Sequence, residues 1–583
     1  MKENLQLIII ILLLMLFYLG LPELDKAKVG RQLKPGRKLI EKADFIIMAC
    51  LLLFSSAVGF FRLGNTGSPQ TFCEISGKQA ILTLAEYENR SPSRLAFFTG
   101  VGTGTYNVEY SEDGENYVKI SEYEQDYSRV LRWDYVTAIS DMNPRFIRIT
   151  ANGDAYLGEI GVLDEDEEFI PFTCNIPELC DEQEYLCTEQ NYMNSTYFDE
   201  IYHARTAWEH MNGIYPYEVS HPPLGKLIIA IGISLFGMTP FGWRFSGTLC
   251  GALMVPVMYI FAKKLFGSRN TAACTAMILA TDFMHLVQTR ISTIDSYSVF
   301  FILVMYMFMY FYLEDRSMKY LALSGIFFGF GAATKWICLY AGAGLAVLWL
   351  ADRIMHRSEG IKALMKNIGF CLVFFVLIPC GIYYLSYIPY GTALRIKSIF
   401  STDYFRMVLE NQKFMFSYHS NLVAEHPYSS KWYQWVLNIR PVLYYLQYFD
   451  DGTRSSFGTF LNPLLCWGGL VAIVVLLYCA LFRKERKAAF LLVSYFAQLI
   501  PWMFVTRLTF EYHYFACSIF LTLALGYIFS LMENGTKHCR AYIFSFTGVS
   551  AALFAMFFPV LTGIRVNSVA ATGLLQWLKT WPF

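Results

Sequence analysis

The sequence predicts a polytopic α-helical membrane protein that carries an all-β domain on its exterior side. Hydrophobic residues make up 55% of the 583-residue chain and charged residues only 16%, whereas a soluble domain carries about 25% charged residues. Long apolar stretches recur along most of the chain, and one early region alternates polar and apolar residues instead. The balance of 47 basic and 47 acidic residues argues against a nucleic-acid binder, which needs an excess of Lys and Arg.

Twelve apolar stretches are predicted to cross the membrane, because a helix needs about 17–25 residues to span the hydrocarbon core. The stretch 320–351 is divided in two, since Gly329, Gly331 and Lys335 interrupt it. The predicted spans are 5–21, 43–61, 243–266, 271–289, 295–313, 320–334, 336–351, 368–388, 459–482, 488–505, 514–531 and 541–563.

The distribution of basic residues predicts the orientation, because cytoplasmic loops are enriched in Lys and Arg. The richest loop, 22–42, holds Lys26, Lys28, Arg31, Lys34, Arg37, Lys38 and Lys42. Counting spans from that loop places both termini and the large segments 62–242 and 389–458 outside. The first apolar run, 5–21, lacks an A-x-A cleavage site, so we interpret it as a retained anchor rather than a signal peptide.

The exterior β domain is predicted from short alternating runs at 80–84, 106–110 and 146–149, which are typical of half-buried strands. Asp113-Gly114 is a tight-turn pair between them, so a two-sheet jelly roll fits. Residues 62–198 contain 24 acidic and 9 basic residues, the composition of a solvated exterior domain. Four exterior cysteines, Cys73, Cys174, Cys180 and Cys187, are candidates for a disulfide whose pairing the sequence leaves open.

Four regions follow from these patterns. They are an anchor, basic loop and first span at 1–61, the β domain at 62–175, an outer loop with juxtamembrane helices at 176–242, and a transmembrane domain at 243–583 that includes outer loop 389–458.

Adjacent carboxylates at Asp199-Glu200 lie among aromatic residues just before a membrane span. An aspartate partly withdrawn from water has a raised pKa and can act as a general base. A dipeptide of this kind is more often a solvated helix face, so the hypothesis depends on the ionisable residues that follow.

Further ionisable residues fall at membrane depth or at span ends, where such groups indicate function. Arg244 and Arg290 end or begin spans, Asp295 flanks the next one, and Lys335 interrupts an apolar hairpin. Basic groups of this kind suit a lipid-linked phosphate, which Arg binds with a forked contact and Lys as a point charge. Snorkelling to the interface is the alternative for each of them, and it fits Lys335 least.

Five motifs carry a family resemblance. They are Asp199-Glu200, His221-Pro222-Pro223-Leu224-Gly225-Lys226, Thr334-Lys335-Trp336, Ser430-Lys431-Trp432-Tyr433-Gln434-Trp435 after His426-Pro427, and Glu511-Tyr512-His513-Tyr514-Phe515. In this order they resemble the protein O-mannosyltransferase family over residues 195–560. The resemblance implies a GT-C fold of eleven spans, to which 5–21 is an addition, and inverting transfer of mannose from a polyprenyl-phosphate donor to Ser or Thr of exported proteins.

The resemblance also implies site residues. Asp199 matches the aspartate that deprotonates the acceptor hydroxyl, and Glu200 supports it. Arg244 and Lys335 match basic positions near the donor phosphate. The remaining substrate-binding candidates are His221, Arg290, Asp295, Trp336, His426, Trp432, Tyr512 and His513. No Cys/His spacing predicts a metal site, although some GT-C enzymes use a divalent metal, so a cofactor is left open.

One departure from the family concerns the acceptor. Eukaryotic members carry a β-trefoil in a later loop, which 389–458 is too short to hold. The exterior region 62–175 resembles discoidin-type jelly rolls instead, which implies a carbohydrate- or surface-binding module, with an inert spacer as the alternative. The second hypothesis is therefore a related GT-C transferase that acts on a lipid or a cell-wall glycan. The protein is predicted to lie in a bacterial plasma membrane, which it crosses several times.

Overall fold

The computed structural model describes most of the chain. The described residues are 5–25, 27–30, 38–85, 91–137 and 144–583. Of the basic loop predicted at the inner face, Lys26, Arg31, Lys34 and Arg37 lie outside these residues. Contacts between described residues divide the chain into two compact units. The first, the helical unit, contains 1–61, 218–227 and 247–583. The second contains 62–217 and 228–246 and is called the exterior unit after the side of the membrane predicted for it. The predicted boundary at residue 175 falls inside the exterior unit.

Twenty-one α-helices occur in the described residues. In chain order, α1 to α21 are Leu5–Leu19, Lys42–Phe60, Glu200–Met211, Leu224–Phe236, Pro240–Phe266, Arg269–Ala280, Phe283–Arg290, Asp295–Asp315, Met318–Thr334, Ile337–Met355, Ile361–Cys371, Ile378–Ser386, Ile388–Ala393, Thr402–Asn421, Trp432–Val436, Pro463–Leu481, Arg486–Met503, Phe515–Gly535, Cys539–Phe557, Pro559–Thr562 and Ser568–Leu575.

Eight helical segments of the described chain are long and apolar enough to cross a membrane. They are Lys42–Phe60, Pro240–Phe266, Asp295–Asp315, Ile337–Met355, Ile361–Ala393, Pro463–Leu481, Glu511–Gly535 and Cys539–Phe557. A multi-pass helical membrane protein is thus confirmed. The count of twelve stays a prediction, because the helices at the other four predicted positions are shorter, broken or more polar; α1, for example, has 15 residues.

The break between two helices at Lys335 determines the position of a predicted site residue. Helix α9 ends at Thr334, Lys335 itself is extended with φ −155° and ψ 138°, and α10 begins at Ile337, as the interruption of the apolar run predicted. Helix α9 packs closely on the helical segment Leu372–Leu377, since a Cβ at Gly325 would lie 2.2 Å from the Phe374 carbonyl oxygen. A larger residue at Gly325 would therefore force the two helices apart.

The exterior unit contains two antiparallel sheets. Its strands β1 to β9 are Cys73–Glu74, Gln79–Leu84, Arg94–Thr99, Gly104–Ser111, Val118–Gln125, Arg132–Thr137, Phe146–Gly153, Tyr156–Leu163 and Phe172–Cys174. One sheet has the order β1-β8-β3-β6 and the other β5-β4-β7-β2-β9. Alternate residues of both sheets form one buried core, to which Leu82, Val108 and Ile160 contribute. The three predicted strand positions are confirmed in β2, β4 and β7.

Two local predictions concern this unit, the turn at Asp113-Gly114 and a possible disulfide. Gly114 has φ +80°, and the Asp113 carboxylate accepts the backbone N–H groups of Glu115 and Asn116, so Asp113-Gly114 forms the predicted turn between β4 and β5. The four candidate cysteines, Cys73, Cys174, Cys180 and Cys187, all have free thiols, so none of them forms the possible disulfide.

The predicted outer loop 389–458 is structured. It contains α14 and α15 and two strands, β10 at Val442–Tyr448 and β11 at Thr453–Thr459, which pair antiparallel. The short strand β12 at Val566–Asn567 extends this sheet beside β11. Strand β11 continues one residue into the predicted span 459–482, whose helix α16 begins at Pro463.

Candidate active site

Asp199 stands immediately before helix α3 in the exterior unit. Its carbonyl oxygen accepts the backbone N–H groups of Tyr202 and His203, which fixes the aspartate at the helix start. The preceding residue, Phe198, has φ +49°, a left-handed conformation that costs a bulky residue free energy and that concentrates at functional sites. The half-buried Asp199 side chain is therefore presented by a strained turn and held by a regular helix.

Glu200 makes a closed ion pair with Arg244 within the same unit. Arg244 donates from Nε to Glu200 Oε1 and from Nη2 to Oε2, both at 2.7 Å. Its Nη1 also donates to the carbonyl oxygens of Leu63 at 2.8 Å and Tyr192 at 2.6 Å. Both side chains are at most 1% exposed. These contacts make Arg244 the partner that holds the first residue of α3, and its predicted position near the donor phosphate stays a prediction.

Lys335 makes a different pair in the helical unit. Its Nζ donates to Asp295 Oδ1 at 2.7 Å, and the two side chains are 11% and 8% exposed. The Nζ also lies 5.8 Å from the centre of the Tyr512 ring. Asp295 is the first residue of α8, so the break between α9 and α10 places the lysine beside the start of the helix that precedes α9. The structure thereby brings together three of the predicted substrate-binding residues.

His221 belongs to a polar cluster that opens helix α4. Its Nδ1 lies 3.0 Å from Glu218 Oε1, and Glu218 also pairs with the fully buried Lys226. Lys226 Nζ donates to the His221 carbonyl oxygen at 2.8 Å, which holds the Pro222-Pro223 turn closed. Burial, together with the charges of Lys335 and Lys226, lowers the pKa of His221 despite the nearby Glu218 carboxylate, so the imidazole is neutral at neutral pH.

His419 joins this cluster from helix α14. Its ring centre lies 5.2 Å from that of His221 and 6.3 Å from that of Trp336, and its Nε2 is 2.9 Å from the Ser220 carbonyl oxygen. Burial and the neighbouring positive charges lower the pKa of His419 to about 4. Because the His419 Nε2–H group donates to the Ser220 carbonyl oxygen, the neutral ring can offer its Nδ1 as an acceptor to a sugar hydroxyl without adding charge.

Aromatic side chains enclose the motif that contains Tyr512 and His513. The His513 ring lies 4.5 Å from Tyr512, 4.4 Å from Trp502 and 5.8 Å from Trp435. Trp435 is buried, whereas the predicted Trp432 contacts Tyr433 and is only half-buried. The second tryptophan of the motif therefore packs against the histidine, and the role of Trp432 in substrate binding stays a prediction.

The other predicted residues have separate surroundings. His426 packs against Phe510 at 5.0 Å and accepts the Tyr428 N–H through Nδ1 at 3.2 Å. Arg290 donates from Nη1 to the carbonyl oxygens of Gly59 at 3.0 Å and Phe61 at 2.6 Å, which caps the end of α2. Arg290 thus has a structural role in these contacts, and the predicted role in substrate binding stays a prediction.

Sequence reasoning missed two members of the cluster. Glu218 precedes the recognised motif by three residues, and that short spacing before a buried lysine was the available signal. His419 lies in an amphipathic helix far along the chain, and no local pattern marks it. Among the described residues, one group of three carboxyl side chains is close enough to share a cation, Glu159, Asp181 and Glu182; Glu159 lies on strand β8 and the other two lie after the last strand of the exterior unit.

Comparison with known proteins identifies the helical region. The family profile described as "Dolichyl-phosphate-mannose-protein mannosyltransferase" matches residues 220–383. The profile described as "C-terminal four TMM region of protein-O-mannosyltransferase" matches residues 404–581. Together they cover more than half of the chain. The chain belongs to the protein O-mannosyltransferase family. Both profiles begin after Asp199 and the β sheets, so the region before residue 220 is characterised by its geometry alone.

Individual relatives support the membership. A polyprenol-phosphate-mannose–protein mannosyltransferase of Mycolicibacterium smegmatis is 25% identical over 450 residues, 66% of this chain and 87% of that protein. Dolichyl-phosphate-mannose–protein mannosyltransferase 1 of Saccharomyces cerevisiae is 27% identical over 249 residues, 38% of this chain and 30% of that protein.

A solved structure has the same fold. The S. cerevisiae protein O-mannosyltransferase Pmt1–Pmt2 complex bound to the sugar donor covers 67% of this chain and 89% of the matched chain, with a TM-score of 0.59 and 14% identity. At that identity the likeness concerns the fold alone, and it confirms the GT-C class in its coarse form.

Proposed function

We propose that the protein transfers mannose from a polyprenyl-phosphate donor to hydroxyl groups of exported proteins, with inversion at the anomeric carbon. The observation that carries this proposal is the buried Lys335–Asp295 pair beside neutral imidazoles, inside the segment that matches the mannosyltransferase profile. A buried ammonium beside uncharged hydrogen-bonding groups suits a ligand that combines a phosphate with a sugar. The mycobacterial relative is named for this reaction.

The proposed mannosyl transfer requires few catalytic groups. The acceptor oxygen attacks the anomeric carbon, the bond from that carbon to the phosphate oxygen breaks, and its electron pair goes to the phosphate. The acceptor proton passes to the Asp199 carboxylate. We assign to Lys335 the stabilisation of charge that develops on the leaving phosphate. A phosphate leaves without an acid, so one carboxylate is sufficient.

The alternative of glycoside hydrolysis fits the carboxylates poorly. A hydrolase needs an acid and a second carboxylate facing each other across the bond that breaks. Both oxygens of Glu200 are bound by Arg244, so Glu200 is unsuited to be that second group. This engagement supports a transferase with a phosphate leaving group, in which Glu200 positions Asp199 rather than reacting itself.

The function is tested by sugar transfer in purified membranes from radiolabelled polyprenyl-phosphate-mannose, with wild type and Asp199→Asn compared at equal protein. We expect label in a Ser/Thr peptide from the wild type and its loss in the variant. Label in a lipid or glycan would favour the second hypothesis, a related transferase. Full activity of Asp199→Asn would contradict the assignment of the base, and no transfer by folded wild type would contradict the donor.

Finer features belong to the same proposal. We propose twelve spans with both termini and the large loops outside in a plasma membrane, and a discoidin-like jelly roll with a carbohydrate ligand in the exterior unit. The two antiparallel sheets of four and five strands support the jelly roll. Single cysteines placed at residues 5 and 583 in a chain whose other accessible thiols are blocked would test the orientation, since an impermeant thiol reagent should label both from outside.

A further inference from the structure

Three tyrosine rings form a ladder on the surface of the exterior unit. The rings of Tyr127 and Tyr202 are 6.4 Å apart with planes 15° from parallel, and those of Tyr202 and Tyr217 are 6.3 Å apart with planes 4° from parallel. Tyr127 is 47% exposed and Tyr217 is 43% exposed. Tyr127 follows strand β5, Tyr202 lies in the first turn of α3 and Tyr217 follows α3, so three separate segments supply the ladder.

A buried ion pair on α3 holds the end of this ladder. Arg205 Nε donates to Glu209 Oε1 at 2.7 Å, and the two side chains are 8% and 3% exposed. The other oxygen, Glu209 Oε2, accepts the backbone N–H of Tyr217 at 2.7 Å. The Arg205 guanidinium lies 4.1 Å from the centre of the Tyr217 ring. An exposed ring is thus fixed through both its backbone and its face.

Holding the exposed Tyr217 ring with a buried ion pair has a free-energy cost that folding alone does not explain. Burying an ion pair carries a desolvation penalty that the pair only partly recovers, and an exposed tyrosine needs no such support for folding. Rigid aromatic side chains, by contrast, are the typical anchors of binding surfaces, because little conformational entropy is lost when they bind. The ladder therefore has the properties of a preorganised contact surface.

The ladder lies next to the residue assigned as the base. Tyr202 follows Asp199 by three residues, one turn of α3, and its backbone N–H is bonded to the Asp199 carbonyl oxygen. We propose that the ladder of Tyr127, Tyr202 and Tyr217 docks an extended segment of the acceptor polypeptide, whose apolar side chains pack on the rings and flank the hydroxyl that receives the sugar. This inference rests on the proposed function, and it assigns to the β-sheet region a part in choosing the acceptor.

Charge and chemistry favour a polypeptide of a particular kind. Residues 62–198 carry 24 acidic and 9 basic residues, so an acidic segment would be repelled and a neutral or basic one attracted. Flat aromatic surfaces without a pocket suit extended chains, in which side chains on either side of the acceptor residue reach adjacent rings. The expected acceptor is thus a neutral or basic extended segment with apolar residues near its Ser or Thr.

The test compares two acceptors in the full-length protein. One is a peptide of about twelve residues with apolar side chains around a single threonine, and the other is threonine capped at both ends. For Tyr127→Ala and Tyr217→Ala we expect the KM for the long peptide to rise about tenfold, with kcat and the KM for the donor unchanged. Transfer to capped threonine should not change, because it has no flanking residues. Tyr127→Phe and Tyr217→Phe should retain the wild-type KM.

Tyr117→Ala provides a matched control. Tyr117 also packs on a guanidinium, that of Arg148 at 3.9 Å, but it is not part of the ladder, so its KM for the peptide should equal that of the wild type. An unchanged peptide KM in both ladder variants, or an equal loss with peptide and capped threonine, would overturn the inference while leaving the transferase standing. Failure of the wild type to glycosylate either acceptor would instead overturn the proposed function.

Discussion

Two buried ion pairs, one in each unit, differ in how completely their cations are bonded. Arg244 in the exterior unit donates to both oxygens of Glu200 and to three backbone carbonyl oxygens. Lys335 in the helical unit donates to one oxygen of Asp295 and otherwise faces the Tyr512 ring. The first pair is saturated, whereas the second leaves an ammonium group with unused donor capacity.

The difference supports the proposal that the first pair is structural and the second takes part in the reaction. A guanidinium with its fork filled cannot bind a phosphate without losing its native partners, so Arg244 stabilises the helix that carries Asp199. An ammonium has three donors and no fixed geometry, so Lys335 can accept a second anion beside Asp295. Burial alone does not identify the functional cation, since Arg244 is the more buried of the two.

The largest effect is expected for Lys335→Gln. The substitution removes the charge proposed to face the leaving phosphate, so kcat for mannosyl transfer should fall by about 10²–10³-fold. The thermal midpoint in detergent should fall less than that of Arg244→Gln, because the glutamine amide can replace the single hydrogen bond to Asp295 although the carboxylate loses its cation. Transfer is measured with the radiolabelled donor, and unfolding by intrinsic fluorescence.

The control for Lys335→Gln is Lys264→Gln. Lys264 pairs with Asp315 at 2.6 Å at a more exposed position, and exposed pairs contribute little. Its loss should leave both transfer and the thermal midpoint at the wild-type level. Equal activity of the two variants would show that Lys335 is not needed for the reaction.

The second effect concerns Arg244→Gln, which leaves Glu200 buried without its cation. Breaking a buried pair in this way costs about 3–5 kcal/mol, so the thermal midpoint should drop and the variant should be protease-sensitive. The thermal midpoint of Arg244→Lys should lie between those of the wild type and Arg244→Gln, because lysine restores the positive charge but not the forked contact of the guanidinium. If Arg244→Gln instead has wild-type stability and a reduced affinity for the donor, the predicted contact of Arg244 with the donor phosphate would be supported.

The sequence predicted this contrast only in part. Spacing and composition located Asp199, Glu200, Arg244, Asp295 and Lys335, and the apolar hairpin broken by Lys335 predicted the helix ends around it. Which cation faces which carboxylate depends on long-range packing: Arg244 is 44 residues from Glu200, and Lys335 is 40 from Asp295. No periodicity encodes such pairings.

Two contacts that the sequence did not predict have the same origin. His419 reaches His221 across 198 positions of sequence, and Trp435 packs against His513 because the five-residue helix α15 determines which of its side chains are buried. The β strands were predicted well, since alternation is a local signal, whereas the pairing of β1 with β8 is not local.

A smaller effect is expected for coupling within each pair. A double-mutant cycle of Glu200→Gln with Arg244→Gln, scored by thermal stability, should give a coupling energy of about 2–3 kcal/mol, because both partners are buried and bidentate. The cycle of Asp295→Asn with Lys335→Gln should give less coupling in stability and more in kcat. Reversed values would exchange the roles assigned to the two pairs.

The smallest effect tests a buried carboxyl group that is paired with no cation in its described contacts. Glu159 accepts hydrogen bonds from Gln183 and from the Glu182 N–H, with Asp181 and Glu182 as charged neighbours. Burial, chiefly, raises its pKa to about 7. Between the ordinary pKa of a glutamate, about 4.3, and this value, the folded state holds a proton that the unfolded chain has lost. Stability should therefore fall as the pH rises from about 4 to 7.

Glu159→Gln isolates this contribution, because the amide cannot titrate. The thermal midpoint of the full-length protein, followed by fluorescence at pH 5 and pH 8, should decrease more in the wild type than in the variant, by a few degrees. Glu182→Gln is the control, since it removes a neighbouring charge and should reduce the pH dependence only in part. Identical pH dependence in wild type and Glu159→Gln would mean that Glu159 ionises normally. A buried carboxylate would then be stable without a cation such as Arg244 or Lys335 beside it. The number of hydrogen bonds that Arg244 and Lys335 make would in that case no longer distinguish the structural pair from the reactive one.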